Sequence, residues 1–287
     1  MYIILGGTGH VGSQVALTLL SQKEPVIIIT HNPSKEAEWT QLGAQVAVVD
    51  VHDSDQLRRV FQQGQRLFVL NPPADPSSDT DQQERKSLAS ILKALVDSGI
   101  QKIVAQSTYG AQPGERIGDL GILYELEQGL EQTGIPTTIL RAAYYMSNWD
   151  HALGTAQKEG KVYTFYPPDF KLPMVAPQDL GQQAARLLRE PISQTGLYYV
   201  EGPVLYSSAD VAATLTTLLE KQVTAIQIPP EQWIATLKEL GFSPVGAESM
   251  AAMTAITLEQ KYDLPDSPLR GSITLQAYLG ELAKSGS

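Results

Sequence analysis

The sequence predicts an α/β fold whose core is a doubly wound parallel sheet with helices on both faces. Short runs of β-branched residues alternate with stretches of helical periodicity through the first half of the chain. The strand-like runs are four to six residues long and apolar at successive positions, which is typical of strands buried on both faces. Right-handed crossovers between such strands favour parallel pairing and a doubly wound order.

The elements of the first half are predicted one by one. Aliphatic and β-branched runs predict the strands, and the amphipathic stretches between them predict the helices. The helix after the third strand begins at Asp53, a residue type that caps helix N-termini. The predicted strands cover 2–5, 25–30, 45–50, 66–70, 102–107 and 136–141, and the predicted helices lie near 11–21, 34–42, 53–63, 80–98 and 117–133.

The second half has a different pattern. Aromatic residues and prolines cluster in "AAYYMSNW" and "KVYTFYPPDFKLP" after about residue 142. We expect residues 1–145 to form the sheet region and residues 146–287 a smaller, mostly helical lobe that packs on it or exchanges strands with it, because no flexible linker separates them. The predicted elements of this lobe are a helix near 177–189, a strand in "GLYYVEG", and helices near 207–221, 229–241 and 247–262.

Composition excludes several functional classes. The net charge of −10 and the lack of a basic stripe argue against direct nucleic-acid binding. The absence of cysteine excludes disulfides and thiol nucleophiles, and the four histidines form no pair at metal-ligand spacing. Because the N-terminus leads straight into a strand and no window has the ~20 apolar residues of a membrane span, we expect a cytoplasmic, soluble protein.

The first strand runs into the glycine-rich stretch "GGTGHVG", residues 6–12. A strand, a glycine turn and a helix N-terminus together form an anion site, because the first N–H groups of the helix are unpaired. Gly6 permits the tight turn, Gly9 lets a pyrophosphate approach the backbone, and Gly12 lets the helix pack on the strand. The motif therefore predicts a Rossmann fold that binds a dinucleotide.

The end of the second strand bears on the choice of cofactor. An NAD-binding chain usually carries Asp or Glu there, whereas this chain has "THNPSK" at 30–35. His31 and Lys35 are suited to a 2′-phosphate, and Asn32 adds a neutral donor. NADP(H) is therefore favoured, and NAD(H) stays open. Asp50, followed by Val51 at the end of the third strand, is placed to accept from the adenine amino group.

Several motifs resemble those of the NmrA-like group of atypical short-chain dehydrogenases/reductases. They are "GGTGHVG", "HNPSK", "VVDVHDSDQL", "LFVLNPP", "VAQSTYGA", "LEQGLEQTGIPTTILRAAYYMSNW" and "MVAPQDLGQQAARLL", with "LYYVEGPVLYSSADVAATL" in the later part. The resemblance covers nearly the whole chain and implies NAD(P) binding on a Rossmann fold with a C-terminal substrate lobe. His31 departs from an arginine that is frequent in this group.

The resemblance also implies roles for individual residues. The pyrophosphate loop would include Thr8, His10 and Val11 beside the glycines. The nicotinamide ribose would be lined by Leu70, Asn71 and Pro72, and the nicotinamide ring would lie near Ser107, Thr108 and Tyr109. Substrate contacts would come from Tyr109, Tyr144, Tyr145, Asn148, Phe165 and Tyr166.

The chain lacks the usual catalytic pair of short-chain dehydrogenases. None of its tyrosines is followed by lysine four residues later, so the Tyr-x-x-x-Lys mechanism is not expected. The favoured hypothesis is an NAD(P)H-dependent reductase that passes hydride to an electron-poor acceptor such as a quinone, with Tyr109 or solvent as the source of the proton. An NADP(H)-binding redox sensor that acts through a protein partner is the alternative, followed by isomerase or reductase chemistry on a nucleotide sugar or aromatic natural product.

Overall fold

The computed structural model describes residues 1–285 of the chain. The strands are β1 (Tyr2–Leu5), β2 (Val26–Thr30), β3 (Gln45–Val48), β4 (Arg66–Val69), β5 (Lys102–Thr108), β6 (Thr137–Ala142), β7 (Tyr144–Tyr145), β8 (Lys161–Thr164), β9 (Leu172–Val175), β10 (Gly196–Glu201), β11 (Leu205–Tyr206), β12 (Thr224–Gln227) and β13 (Leu269–Arg270). The helices are α1 (His10–Ser21), α2 (Glu36–Gln41), α3 (Ser54–Phe61), α4 (Thr80–Leu95), α5 (Asp119–Gln132), α6 (Ala152–Glu159), α7 (Pro177–Arg189), α8 (Ser208–Leu219), α9 (Trp233–Glu239), α10 (Pro244–Leu258) and α11 (Leu275–Ser285).

The central sheet has eight strands in the order β13-β10-β6-β5-β4-β1-β2-β3. Every neighbouring pair in it is parallel. The run β3-β2-β1-β4-β5-β6 is the doubly wound Rossmann order, so the predicted fold class is confirmed. The order reverses between β1 and β4, and the carboxyl ends of these strands are where such sheets bind ligands.

Alternate residues of the strands build two hydrophobic cores, one on each face of the sheet. Ile4, Phe68 and Val104 pack with α1 and α7 on one face. Ile3 and Leu67 pack with α3, α4 and α5 on the other. Each such side chain contributes roughly 1.5–3 kcal/mol when it is fully buried, and this burial on both faces explains the continuous apolar strands.

The second half of the chain contributes to the central sheet as well as to its own lobe. Strands β10 and β13 extend the sheet beyond β6, and α7 packs against α1. The lobe itself holds a three-stranded sheet, β11-β9-β7, and the parallel pair β12-β8. A third core lies between these strands and the helices α8 and α11. The helices and the strand predicted for this half are all present, whereas β7, β8, β9, β11, β12, β13, α6 and α11 were not predicted.

Within residues 1–285, no helix combines the length and the apolar character needed to cross a bilayer. The same part of the chain contains no cluster of three or more histidine, aspartate or glutamate residues arranged to hold a metal ion.

Candidate cofactor and substrate site

The glycine loop joins β1 to α1 at the carboxyl edge of the sheet. Gly6 has a φ of +73°, a conformation that favours glycine, and a side chain at Gly12 would overlap the Gly6 carbonyl oxygen. Gly9 is the N-cap of α1 and no side chain caps this helix. The unpaired N–H groups and the helix dipole are therefore left to face an anion.

The β2 end lies beside this loop. Thr8 and Thr30 are joined through their hydroxyls at 3.2 Å, and the Asn32 N–H donates to Thr30 Oγ1 at 3.1 Å. The Asn32 side chain accepts from the Ser34 N–H and so shapes the turn locally. His31 is exposed, and Lys35 Nζ donates to Glu38 Oε2 at 3.1 Å on the surface.

Asp50 and Val51 follow the carboxyl end of β3 at the same edge of the sheet. Asp50 is exposed and its Oδ1 accepts from the His52 N–H at 2.9 Å, which closes a turn before α3. Val51 is half-buried and packs against the second core.

The β4 end brings Leu70, Asn71 and Pro72 to the glycine loop. Leu70 packs directly on Gly6. Asn71 is 8% exposed, and its Nδ2 donates to the Glu84 carbonyl oxygen at 3.2 Å. Its Oδ1 has no partner among the described residues. A buried amide oxygen left unpaired calls for a donor, so Asn71 is suited to a ribose hydroxyl or a similar group of a bound ligand.

Three carboxylates gather behind Asn71 at the start of α4 and α5. Glu84 Oε1 accepts from the Ala74 N–H at 3.0 Å, and Asp81 Oδ1 accepts from Ser249 on α10 at 2.6 Å. Burial raises the pKa of Glu84 to about 8, and the charges of Asp119 and Asp81 add to this effect. Asp119 is open to solvent, yet protein surrounds its carboxyl closely enough to raise its pKa, and Asp81 raises it further.

Ser107 at the end of β5 belongs to a buried ionic network. Its hydroxyl donates to Glu127 Oε1 at 2.5 Å, and Glu127 forms a two-pronged ion pair with Arg141 from β6. Arg141 also donates to the Tyr199 hydroxyl at 3.0 Å. Thr108 follows Ser107 and is half-buried at the strand end.

Tyr109 is buried directly after β5. Its phenol donates to Glu201 Oε1 at 2.9 Å, and its ring meets Tyr199 edge-on at 5.0 Å between centroids. Burial, followed by the hydrogen bond to Glu201, raises the pKa of Tyr109. Tyr109 is 7% exposed, and its phenol proton is engaged in the hydrogen bond to Glu201. This geometry argues against the proton-donor role predicted for Tyr109.

Two of the predicted substrate residues, Tyr144 and Tyr166, lie in one group of aromatic side chains. Tyr144 packs near Tyr166 at 6.3 Å between ring centroids, and Tyr166 stacks on Phe170. Burial raises the pKa of Tyr144 to about 12, and a hydrogen bond from Asn148 opposes this shift.

The remaining predicted substrate residues are Tyr145, Asn148 and Phe165. Tyr145 is half-buried, and burial, followed by the charge of Asp119, raises the pKa of its phenol. Asn148 is exposed. Phe165 packs against Trp233 of α9, with 6.0 Å between the ring centroids.

A pocket of about 350 Å³ continues the site beyond the end of β5. Arg141 reaches it from β6, and Tyr262 covers it from the segment after α10, with its ring directly over Gly110. The C-terminal half of the chain therefore roofs the carboxyl edge of the sheet.

These features fit a dinucleotide. The cradle around Gly12 and the uncapped start of α1 suit a pyrophosphate, and Asn71 offers an unpaired acceptor at the next strand end. The structure brings the ends of β1 to β6 to one edge. The individual cofactor and substrate contacts of the predicted residues stay predictions.

Sequence reasoning missed the carboxylates Asp81, Glu84 and Asp119 and the network partner Glu201. The only local signal was the spacing of Asp81 and Glu84, three residues apart on one face of α4. Acidic residues early in a helix are ordinarily explained by the helix dipole, so this signal was not specific.

The model of the NmrA-like family matches residues 2–278 of the chain. The protein belongs to the NmrA-like family. This NmrA-like chain is 25% identical to the NAD(P)H azoreductase of Xenophilus azovorans over 258 residues, which cover 89% of this chain and 87% of that protein. It is 26% identical to quinone oxidoreductase 2 of Escherichia coli over 254 residues, which cover 88% and 86% of the two chains.

A regulatory relative and a solved structure are also similar. The nitrogen metabolite regulation-like protein bik4 of Gibberella fujikuroi is 26% identical over 281 residues, with 87% of this chain and 83% of that protein covered. The crystal structure of the Citrobacter sp. triphenylmethane reductase complexed with NADP(H) superposes with a TM-score of 0.81 and 21% identity, covering 98% of this chain and all of that one. This structural likeness concerns the fold.

Proposed function

We propose that this NmrA-like protein is an NADP(H)-dependent oxidoreductase that reduces a small, electron-poor aromatic acceptor such as a quinone or an azo compound. The observation that carries the proposal is the open dinucleotide cradle at the switch point of the sheet, formed by the uncapped α1 and the glycine loop. Relatives named for NAD(P)H-dependent azo reduction and for quinone oxidoreduction support the reaction class.

The protein's own residues then have distinct tasks. The glycine loop holds the pyrophosphate, and Asn71 orients the ribose beside it. Tyr144 and Tyr166 form an aromatic wall against which a flat acceptor can stack. Tyr262, whose ring lies over Gly110, covers one side of the pocket. When bound, the reduced nicotinamide supplies the hydride.

The preference for NADP(H) rests on the β2 end. His31 and Lys35 lie exposed after β2, with no carboxylate at the ribose position. We expect His31→Glu combined with Lys35→Ala to shift the ratio of NADPH to NADH affinity toward NADH, by about tenfold or ~1.4 kcal/mol. Fluorescence titration of both nucleotides measures the ratio, and an unchanged ratio would locate the 2′-phosphate contact elsewhere.

The test of the function is nucleotide binding followed by acceptor reduction. NADPH and NADH are titrated by fluorescence, and oxidation of the bound nucleotide is then followed with a panel of quinones and azo compounds. Tight NADPH binding with acceptor-dependent oxidation is the expected result. Absence of binding by either nucleotide would refute the proposal.

A redox sensor is the second candidate. The similarity to a regulation-like protein favours it, because that relative spans most of the chain. Tight NADPH binding without turnover on any acceptor of the panel would select the sensor over the reductase.

A further inference from the structure

The pocket of about 350 Å³ at the carboxyl edge of the sheet is lined by Arg141 of β6. Gly110 and Gln112, which follow β5, line it as well. Arg141 is the register partner of Ser107, where the nicotinamide ring is expected. The pocket is therefore one strand away from the proposed hydride donor, and its volume is within the range of about 300–1,000 Å³ that small-molecule sites have.

The segment between α10 and β13 closes one side of this pocket. Lys261, Tyr262 and Asp263 contribute to the lining from this segment. The Gln112 side-chain amide donates to the Lys261 carbonyl oxygen at 3.1 Å, and the ring of Tyr262 lies over Gly110. These two contacts fix the segment across the pocket, so the chain itself builds the enclosure.

Arg141 has N–H groups left for a ligand. Its Nε and Nη2 donate to the Glu127 carboxylate at 2.9 and 2.7 Å, and its Nη1 donates to the Tyr199 hydroxyl at 3.0 Å. Each Nη atom carries a second N–H, for which the described residues supply no acceptor. The side chain is 13% exposed, and the ion pair holds its planar fork in one orientation. An oxygen atom of a ligand in the pocket can accept from this fork.

The charges around the pocket favour a neutral ligand over an anion. Glu127 already neutralises Arg141, and Lys261 pairs with Glu259. Asp263, which also lines the pocket, adds a further negative charge. The carboxylates therefore outnumber the cations, and an ionised acid on the ligand would be repelled.

We propose that Arg141 binds a carbonyl oxygen of a neutral aromatic acceptor in this pocket, and that the surrounding carboxylates disfavour acceptors that carry an ionised acid. This rests on the proposed function and narrows its acceptors to neutral aromatic carbonyl compounds. A quinone satisfies both conditions, since its carbonyl oxygens accept from N–H groups and its flat ring can pack against Tyr262.

The binding of two naphthoquinones to the full-length protein tests this selectivity. Menadione is neutral, whereas lawsone, a hydroxynaphthoquinone of similar shape, is an anion at neutral pH. The chain has no cysteine, so thiol addition consumes neither compound. Calorimetry with NADP⁺, and again without nucleotide, measures binding in the absence of turnover. We expect menadione to bind at least about threefold more tightly than lawsone, and Asp263→Asn to reduce this difference. Equal or tighter binding of lawsone would contradict the selectivity.

Arg141→Lys tests the hydrogen bond to the carbonyl oxygen. Lysine keeps the positive charge opposite Glu127 but lacks the planar fork that reaches the ligand. We expect the dissociation constant for menadione to rise about tenfold, the effect of losing one hydrogen bond to a charged group. Arg85→Lys is the matched control, because Arg85 forms a similar ion pair with Glu125 on α5 and does not line the pocket. Native affinity for menadione in the Arg141→Lys protein would overturn the proposal.

NMR of the arginine side chains in the native protein gives a second readout that does not depend on how a variant folds. Menadione should shift the guanidinium signals of Arg141 and leave those of Arg85 in place. Unchanged Arg141 signals at saturating menadione, or no binding of menadione at all, would also overturn the proposal.

The proposed function fails by a different result. If menadione binds through Arg141 but the protein oxidises NADPH with no acceptor of the panel, the reductase is refuted and the carbonyl site stands. If azo compounds are reduced while menadione does not bind, the reductase stands and the carbonyl site is refuted.

Discussion

Gly12 is the single residue on which the cofactor cradle depends most directly. A methyl group there would overlap the carbonyl oxygen of Gly6, so the loop or the helix has to move. We expect Gly12→Ala to cost about 1–3 kcal/mol of unfolding free energy, as for other overpacked sites. NADPH affinity, measured by fluorescence, should fall at least about tenfold, which corresponds to ~1.4 kcal/mol.

Gly154 offers the matched control for this substitution. It lies within α6 with open space where a Cβ would be added, so Gly154→Ala should leave NADPH affinity unchanged and stabilise the helix by up to about 1 kcal/mol. Equal NADPH affinity in the Gly12→Ala variant and the control would contradict the role of Gly12 in the cradle.

We expect Tyr109 to stabilise the folded protein and to take no part in proton transfer. Its phenol is the hydrogen-bond donor to buried Glu201, which also forms an ion pair with Arg270 at 2.9 Å. Tyr109→Phe leaves Glu201 short of a donor, at a cost of about 1–3 kcal/mol. Urea unfolding measures this loss. A large fall in kcat with unchanged stability would restore Tyr109 as the acid.

At the scale of elements, α10 is held over the site by Ser249. The Ser249 hydroxyl donates to Asp81 at 2.6 Å and accepts from the Gly118 N–H at 2.8 Å, which joins α10 to α4 and α5. Ser249→Ala removes both contacts and leaves the long 3.5 Å hydrogen bond from Thr80 Oγ1 as the remaining one to Asp81 Oδ1. We expect local opening of α10 to become easier by about 1–3 kcal/mol.

Hydrogen exchange of the α10 amides measures this opening. Ser90→Ala is the control, because the buried Ser90 hydroxyl on α4 has no partner in the described residues and its loss should be nearly neutral. Unchanged exchange in the Ser249→Ala variant would mean that apolar packing alone holds α10.

At the scale of the whole molecule, the buried carboxyl of Glu84 makes the free energy of unfolding depend on pH. The pKa of Glu84 is raised to about 8, so between its ordinary pKa and this value the folded protein binds a proton that the unfolded chain has lost. The free energy of unfolding should therefore fall as the pH rises from about 5 to about 8, by at least about 1 kcal/mol.

Urea unfolding at a series of pH values tests this dependence. Glu84→Gln removes the titrating group and should flatten the curve, whereas Glu125→Gln should retain the slope of the native protein. A stability that rises over this range would show that other groups dominate the linkage.

The sequence by itself determined the strands and helices of the first half, the Rossmann order and the glycine cradle. These follow from local signals, since apolar periodicity and a glycine pattern are contained within a few consecutive residues. The family resemblance was also readable, and the matching family model confirms it.

Only the tertiary structure decided how the second half joins the first and which side chains meet at the site. β10 and β13 enter the central sheet, and Tyr109 meets Glu201 from 92 residues away. Asp81 meets Ser249 from 168 residues away, and Glu84 is buried where α4 packs beside α5. Such contacts depend on where distant segments pack, and burial then sets the charge of the groups that meet, so no local pattern encodes them.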